Sequence, residues 1–225
     1  QIFSDLYSEA NVEIVRNGIN LKSLISKKNF KEKYKIKSNF ILFVGRFSKS
    51  KGIDVLIEAI NIIKDDLTKI NTRLVIMGAD FGYQNEMIET IDKLALSEHI
   101  IIIKNPPRED VISAYGESQF LILPSVWELS PLVPLESFAF KKPVISTNSH
   151  GIPFTVQHNK TGILVEPDNP NELADAIKKL LNEPDLIEKL GLEGYNFVKN
   201  ECNCISMATN ILKLYEKALE NNEIK

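Results

Sequence analysis

Two carboxylates define the chemistry open to this chain. Glu128 and Glu136 stand eight residues apart within SVWELSPLVPLESFAFKKPVIS, residues 125–146. Ser130 and Pro131 follow the first and read as N-cap and N1 of a helix: a hydroxyl can accept from a free first-turn N–H, and proline's missing N–H is no loss there. Glu128 then falls in the loop feeding the helix. Glu136 falls in its first turns, where unpaired N–H groups and the macrodipole favour anions. One short segment thus offers a carboxylate to sugar hydroxyls, backbone donors to a phosphate and a second carboxylate to a ribose. Taken alone, two such glutamates are more often a solvated loop residue and a complement to the helix dipole. Their surroundings decide otherwise.

Short apolar runs alternate with helical patterns, the βαβ rhythm of a mostly parallel sheet. Strands are expected near Phe40–Val44, Arg73–Met77, Ile100–Ile103, Phe120–Leu123, Val144–Ser146 and Gly162–Val165. Helices are expected near Ile53–Asp66, Gln84–Leu96, Glu109–Tyr115, Leu132–Phe140, Asn171–Asn182, Asp185–Asn200 and Ile205–Leu219. The fold class is α/β, a Rossmann-like sheet with helices on both faces. Its expected divisions are a lead-in over 1–37, a Rossmann-like domain over 38–200 and a C-terminal helix over 201–225. Ligands of such open sheets bind outside the carboxyl ends of the strands. Arg46, Gly78 and Ser125 follow expected strands and can share one cleft.

Composition narrows the function classes. With 225 residues and 44% hydrophobic content the chain can bury a sizeable core. A net charge of −3 and a pI near 5.8 argue against nucleic acid as a partner. Cys202 and Cys204, at i and i+2 of a helix-like stretch, point to different sides and read as buried small apolar residues. His99, His150 and His158 lie at no metal-ligand spacing, so no metal is expected. No run approaches membrane-spanning length. No signal peptide precedes the first residue, Gln1, and the chain reads as part of a cytoplasmic protein. From Lys22 to Lys37 there are seven lysines and one acid. That stretch is either a surface patch drawn to anionic lipid, which would place the protein peripherally at a membrane, or a solvated connector, the commoner fate of a charge run.

The Glu128–Glu136 segment resembles the signature of the group-1, retaining GT-B glycosyltransferases, in which two glutamates flank seven residues in a pattern like E-x-F-G-L-x-x-x-E-A. The resemblance continues through Lys142-Pro143-Val144-Ile145 and through residues 156–167, VQHNKTGILVEP. Upstream, Phe43-Val44-Gly45-Arg46, four intervening residues and Lys51-Gly52 look like the family's phosphate-binding strand and loop. Residues 12–20, VEIVRNGIN, look like the family's turn into its second domain. The similarity runs from about Val12 to about Leu219. It implies the C-terminal, donor-binding half of a GT-B fold, a UDP- or GDP-sugar donor and no cofactor. The acceptor would belong to an N-terminal domain, the chain's own intramolecular partner. It also implies Arg46 and Lys51 on the diphosphate beside Gly45, and Glu128 on sugar hydroxyls. Glu136 would take the ribose, Ser130, Leu132 and Val133 would face the donor, and the base would rest near Lys104 and Asn105. Fixed cations suit a leaving diphosphate where no metal is held.

The chain departs from that pattern in places. Ser130-Pro131 stands for Phe-Gly, and proline removes one possible donor to the sugar or phosphate. Ser137 stands for Ala, His150 for the first of two glycines, and Phe154 for a glutamate. These changes keep open a non-catalytic sensor or scaffold that retains the fold. A dinucleotide-dependent oxidoreductase is disfavoured, since no strand runs into G-x-G-x-x-G with an acid about 20 residues on. Gly78-Ala79-Asp80-Phe81-Gly82 reads as a turn.

Overall fold

A computed structural model of the chain describes residues 13–26 and 29–222, leaving Val12, Lys27 and Lys28 of the motifs above outside the described residues. Six strands form one parallel sheet: β1 Asn39–Val44, β2 Thr72–Gly78, β3 Ile100–Lys104, β4 Leu121–Leu123, β5 Val144–Thr147 and β6 Gly162–Val165, in the order β3-β2-β1-β4-β5-β6. The helices are α1 Phe30–Lys33, α2 Ile53–Lys69, α3 Gln84–Lys93, α4 Arg108–Glu117, α5 Leu132–Ala139, α6 Pro170–Asn182, α7 Pro184–Asn200 and α8 Cys204–Asn222. The order reverses between β1 and β4, where a doubly wound sheet opens its ligand crevice.

Side chains alternate across a strand, so an apolar run buries both faces of the sheet at once. Ile41 and Phe43 of β1 point into one core with Leu56, Ile60 and Ile63 of α2 and Ile177 of α6. Phe40 and Leu42 point into the other with Tyr115 of α4, Phe138 of α5 and Val198 of α7. That two-sided burial explains why the strands are continuous apolar runs instead of alternating patterns.

Three sequence expectations change. Pro131, with extended backbone (ψ 133°), is the N-cap of α5, and Leu132 is its first residue. Ser130 makes no cap bond. Its hydroxyl accepts from Asn17 Nδ2 at 2.9 Å, and its carbonyl from the same amide at 3.2 Å. A contact from 113 residues away has displaced the local cap. Cys202 is buried but Cys204 is exposed at the start of α8, and both thiols are free. The lysine-rich lead-in is also more than a connector, because part of it folds as α1. Phe30 is buried there, Glu117 accepts from the Phe30 and Lys31 N–H groups, and Lys33 pairs with buried Asp110 at 2.7 Å. Among the described residues no helix is long and apolar enough to cross a membrane.

Gly52, between the 3-10 turn Lys49–Lys51 and α2, has φ +64°. A Cβ there would lie 2.0 Å from the Pro124 carbonyl oxygen. Gly52→Ala is therefore expected to destabilise the chain by about 2–3 kcal/mol, the scale of overpacking added to left-handed backbone strain. Urea unfolding checks this, and an unchanged midpoint would refute the close crossing.

Candidate functional site

The loops leaving β1 and β4 are locked together at the switch point. Val126 N–H donates to the Ser50 carbonyl at 3.0 Å, and Gly52 packs on Pro124. Three hydroxyls from β5 and the turn after it fix the end of β4 and its loop: Ser146 donates to the Leu123 carbonyl, Thr147 to Ser125 and Ser149 to Val126. They give the carbonyls at the end of β4 and in the loop after it hydroxyl donors, which helps hold that buried backbone in one conformation.

On this platform Lys51 Nζ forms an ion pair with Glu128 Oε1, and only 14% and 17% of the two side chains are exposed. Ser125 Oγ donates to the same oxygen at 3.3 Å. Arg46 is exposed and lies elsewhere, its guanidinium 4.9 Å above the ring of Phe81. Lys51 and Arg46 are thus both at the β1 exit but face different partners. The Phe81 loop is a turn, as its glycines suggest. Asp80 Oδ1 accepts from the N–H groups of Gly82, Tyr83 and Gln84, and these bonds, Gln84's foremost, hold its carboxyl below the usual range. Gly45 leads out of β1, while Lys104 and Asn105 are exposed at the end of the edge strand β3, with Asn105 donating to the Gly78 carbonyl at 2.7 Å.

At α5, Leu132 and Val133 occupy the first two helical positions, whose N–H groups have no partner within a helix. Pro131 and Pro134 on either side supply none, so these two are the donors the helix start can offer. Glu136 sits in the second turn, past those free groups. Its carboxylate is gripped by Arg108, with Nη1 to Oε2 at 3.0 Å and Nη2 to Oε1, and by the Tyr115 hydroxyl at 3.0 Å. Tyr115 is fully buried, and burial together with the Glu136 charge pushes its phenol well above the ordinary value. A carboxylate has about four lone-pair sites, so three bonds leave room for one more donor. Arg108 and Tyr115 escaped the sequence reading. Their signal was an arginine and a tyrosine seven apart on one helix face, just after the loop at Lys104 and Asn105.

Tyr115→Phe is expected to lower stability by about 1.5 kcal/mol, the lower end for a hydrogen bond to a charged group. The raised phenol contributes fully below its unfolded value of 10.0 and loses that contribution as pH climbs above it. The variant should therefore also lose part of the alkaline decline. Denaturation at neutral and alkaline pH tests both, and a curve matching wild type throughout would discount the bond.

Among the described residues no group of three or more His, Cys, Asp or Glu side chains is arranged to hold a metal. His158 is structural, accepting from Leu164 N–H at 3.0 Å in the turn before β6.

Residues 25–197 match the model of glycosyl transferases group 1. The chain belongs to that family. The matched domain is of the C-terminal type within the GT-B fold. Among relatives, an uncharacterised glycosyltransferase of Methanocaldococcus jannaschii is 31% identical over 204 residues, covering 91% of this chain and 53% of the relative. A sucrose-phosphate synthase from Thermosynechococcus elongatus superposes with a TM-score of 0.83 at 25% identity, covering 97% of this chain and 57% of that one. The Anabaena protein HepE, solved in complex with UDP-glucose, shares the fold with a TM-score of 0.81 at 18% identity, over 91% of this chain and 57% of its own. The chain spans a little over half the length of these relatives.

Proposed function

We propose that this glycosyltransferase chain binds the nucleoside-diphosphate sugar donor and that, in the whole protein, the sugar passes to an acceptor with its anomeric configuration retained. The observation that carries the reading is the Lys51–Glu128 pair, seated at the β1/β4 switch point beside the open start of α5. An ammonium held against a carboxylate can be handed to an arriving diphosphate, while the carboxylate turns to sugar hydroxyls. Arg46, resting on Phe81, is a second cation for the same diphosphate. Leu132 and Val133 N–H groups add neutral donors. Glu136 keeps one acceptor site for a ribose hydroxyl, and the fork of Arg108 fixes where that site lies. The base would rest against Lys104 and Asn105.

In this reading the diphosphate leaves and the acceptor attacks on the same face of the sugar. A leaving phosphate oxygen takes the acceptor's proton, so this half needs no general base. Developing charge on the phosphate is met by Arg46 and Lys51 without a metal. The acceptor is assigned to an N-terminal domain within the length that the relatives have in addition. We place the protein in the cytoplasm, where thiols such as Cys202 and Cys204 stay reduced.

Calorimetry with UDP and GDP, with and without a chelator, tests the donor site. Weak binding that survives chelation is the expected result, and binding abolished by the chelator would sink the metal-free assignment. Glu136→Gln is expected to weaken nucleotide binding by about 1.5–3 kcal/mol, the scale for charged hydrogen bonds. A 2′,3′-dideoxy nucleotide should show no such difference between wild type and variant.

A further inference from the structure

His150 occupies a left-handed backbone position, φ +47°, where the resembling family has glycine. Its turn is wedged in place. Gly151 N–H donates to the Glu128 carbonyl at 2.9 Å, and a Cβ on Gly151 would lie 1.6 Å from the Leu129 carbonyl oxygen. Ser149 Oγ lies 2.6 Å from the Val126 carbonyl oxygen and 2.6 Å from His150 Nδ1.

A hydroxyl has one proton, and a carbonyl oxygen can only accept. The Ser149 proton therefore goes to Val126, and Ser149 must accept from Nδ1–H of His150. With the proton fixed on Nδ1, the neutral ring presents Nε2 as a bare acceptor, and among the described residues Nε2 has no partner. The ring packs edge-on to Trp127, with centroids 6.0 Å apart. His150, an exposed residue, also lines a cavity of about 410 Å³ between the entry segment at residues 14–17 and the apolar Leu129, Leu135 and Phe154. Arg16 reaches this cavity but is paired with Glu201 at 3.6 Å.

A mostly apolar cavity with a few polar groups, among them an oriented acceptor, suits a neutral ring that has C–H faces and O–H edges. We propose that His150 Nε2 accepts a hydrogen bond from a hydroxyl of the transferred sugar, making it a specificity-determining residue that glycine at this position would not provide. The inference rests on the nucleotide-sugar reading of the site, since it is the Glu128 backbone that carries the His150 turn.

Long-range proton–nitrogen NMR on histidine-labelled 225-residue chain reads the tautomer without any ligand. A protonated Nδ1 and bare Nε2 are expected for His150, assigned by comparison with His150→Gly, which tolerates the backbone angle. Calorimetry then compares UDP with UDP-glucose and GDP with GDP-mannose. The sugar nucleotide's advantage over its nucleotide should fall about three- to tenfold in His150→Gly, the worth of one neutral hydrogen bond, with nucleotide affinity itself retained. Ser149→Ala, which frees the tautomer, should lose part of the same advantage. The opposite tautomer overturns the inference, and so does an undiminished advantage in His150→Gly or nucleotide binding with no sugar-dependent gain across the panel. If neither nucleotide nor sugar nucleotide binds wild type, the donor-site reading fails and this inference falls with it.

Discussion

Lys51→Met is expected to destabilise the chain by about 3 kcal/mol and to weaken nucleoside diphosphate binding below easy detection. The Lys51 and Glu128 side chains are only 14% and 17% exposed, so the pair is largely out of water. Removing the lysine leaves Glu128 a single hydroxyl donor, Ser125, for a charge that needs more. Breaking a buried pair from one side costs about 3–5 kcal/mol, and the residual exposure places this one at the low end. The double variant Lys51→Met/Glu128→Gln removes the stranded charge and should regain most of the stability. It should not regain nucleotide affinity, because the ammonium is gone. Glu128→Gln alone should bind UDP at least as tightly as wild type, since the carboxylate no longer competes with the diphosphate for Lys51. Urea unfolding and calorimetry on the three variants close the cycle. A Lys51→Met chain as stable as wild type would mean the pair is effectively solvated. A double variant that binds UDP like wild type would remove Lys51 from the phosphate site.

The frame was legible because its signals are local. The runs at 40–44 and 73–77 coincide with β1 and β2 to within a residue at each end, as two-sided burial keeps all but the opening Arg73 apolar. Lys51 and Glu128 could be picked because the motifs that resemble the family's phosphate loop and paired glutamates are contiguous in sequence, Lys51 just ahead of α2 and Glu128 in the loop feeding α5. What escaped depends on pairings distant in sequence. Asn17 takes the Ser130 side chain from 113 residues away, and Arg108 takes Glu136 from 28 away. Propensity does not report such bonds, and spacing offered only the helix face that Arg108 shares with Tyr115. Each bond changes a role: Ser130 becomes an anchor for the entry segment instead of a helix cap, and Glu136 becomes a shared carboxylate. Arg46 shows the same limit. Its position after β1 was readable, but its rest on Phe81 required the paired loops that join Phe47 to Asp80. His150 could be seen only as a missing glycine until the Ser149 hydroxyl revealed which nitrogen carries the proton.

The 225 residues alone are expected to fold and to bind a nucleotide, yet to transfer no sugar at a measurable rate. Folding is expected because the described residues complete a six-stranded sheet with a core on each face. The expected inactivity follows from positioning. An acceptor hydroxyl must be held against the anomeric carbon, and such alignment can lower a barrier by about 7–11 kcal/mol. Those figures correspond to more than five orders of magnitude in rate. In the proposed arrangement the five charged or oriented side chains assigned at the switch point serve the donor: Arg46 and Lys51 the diphosphate, Glu128 and His150 its sugar, Glu136 its ribose. None of these five is then assigned to orient a second substrate. The relatives are nearly twice as long as this chain, and the acceptor is assigned to that additional length. Slow hydrolysis of the sugar nucleotide should survive, because water needs no dedicated site and the two cations still stabilise the leaving group. The deciding measurement compares transfer and hydrolysis by the 225-residue chain with those of a full-length protein carrying it. Hydrolysis without transfer is the expected pattern for the shorter chain. Transfer at a rate near that of the longer protein would place the acceptor site within residues 1–225, and the division between donor half and acceptor half would have to be abandoned.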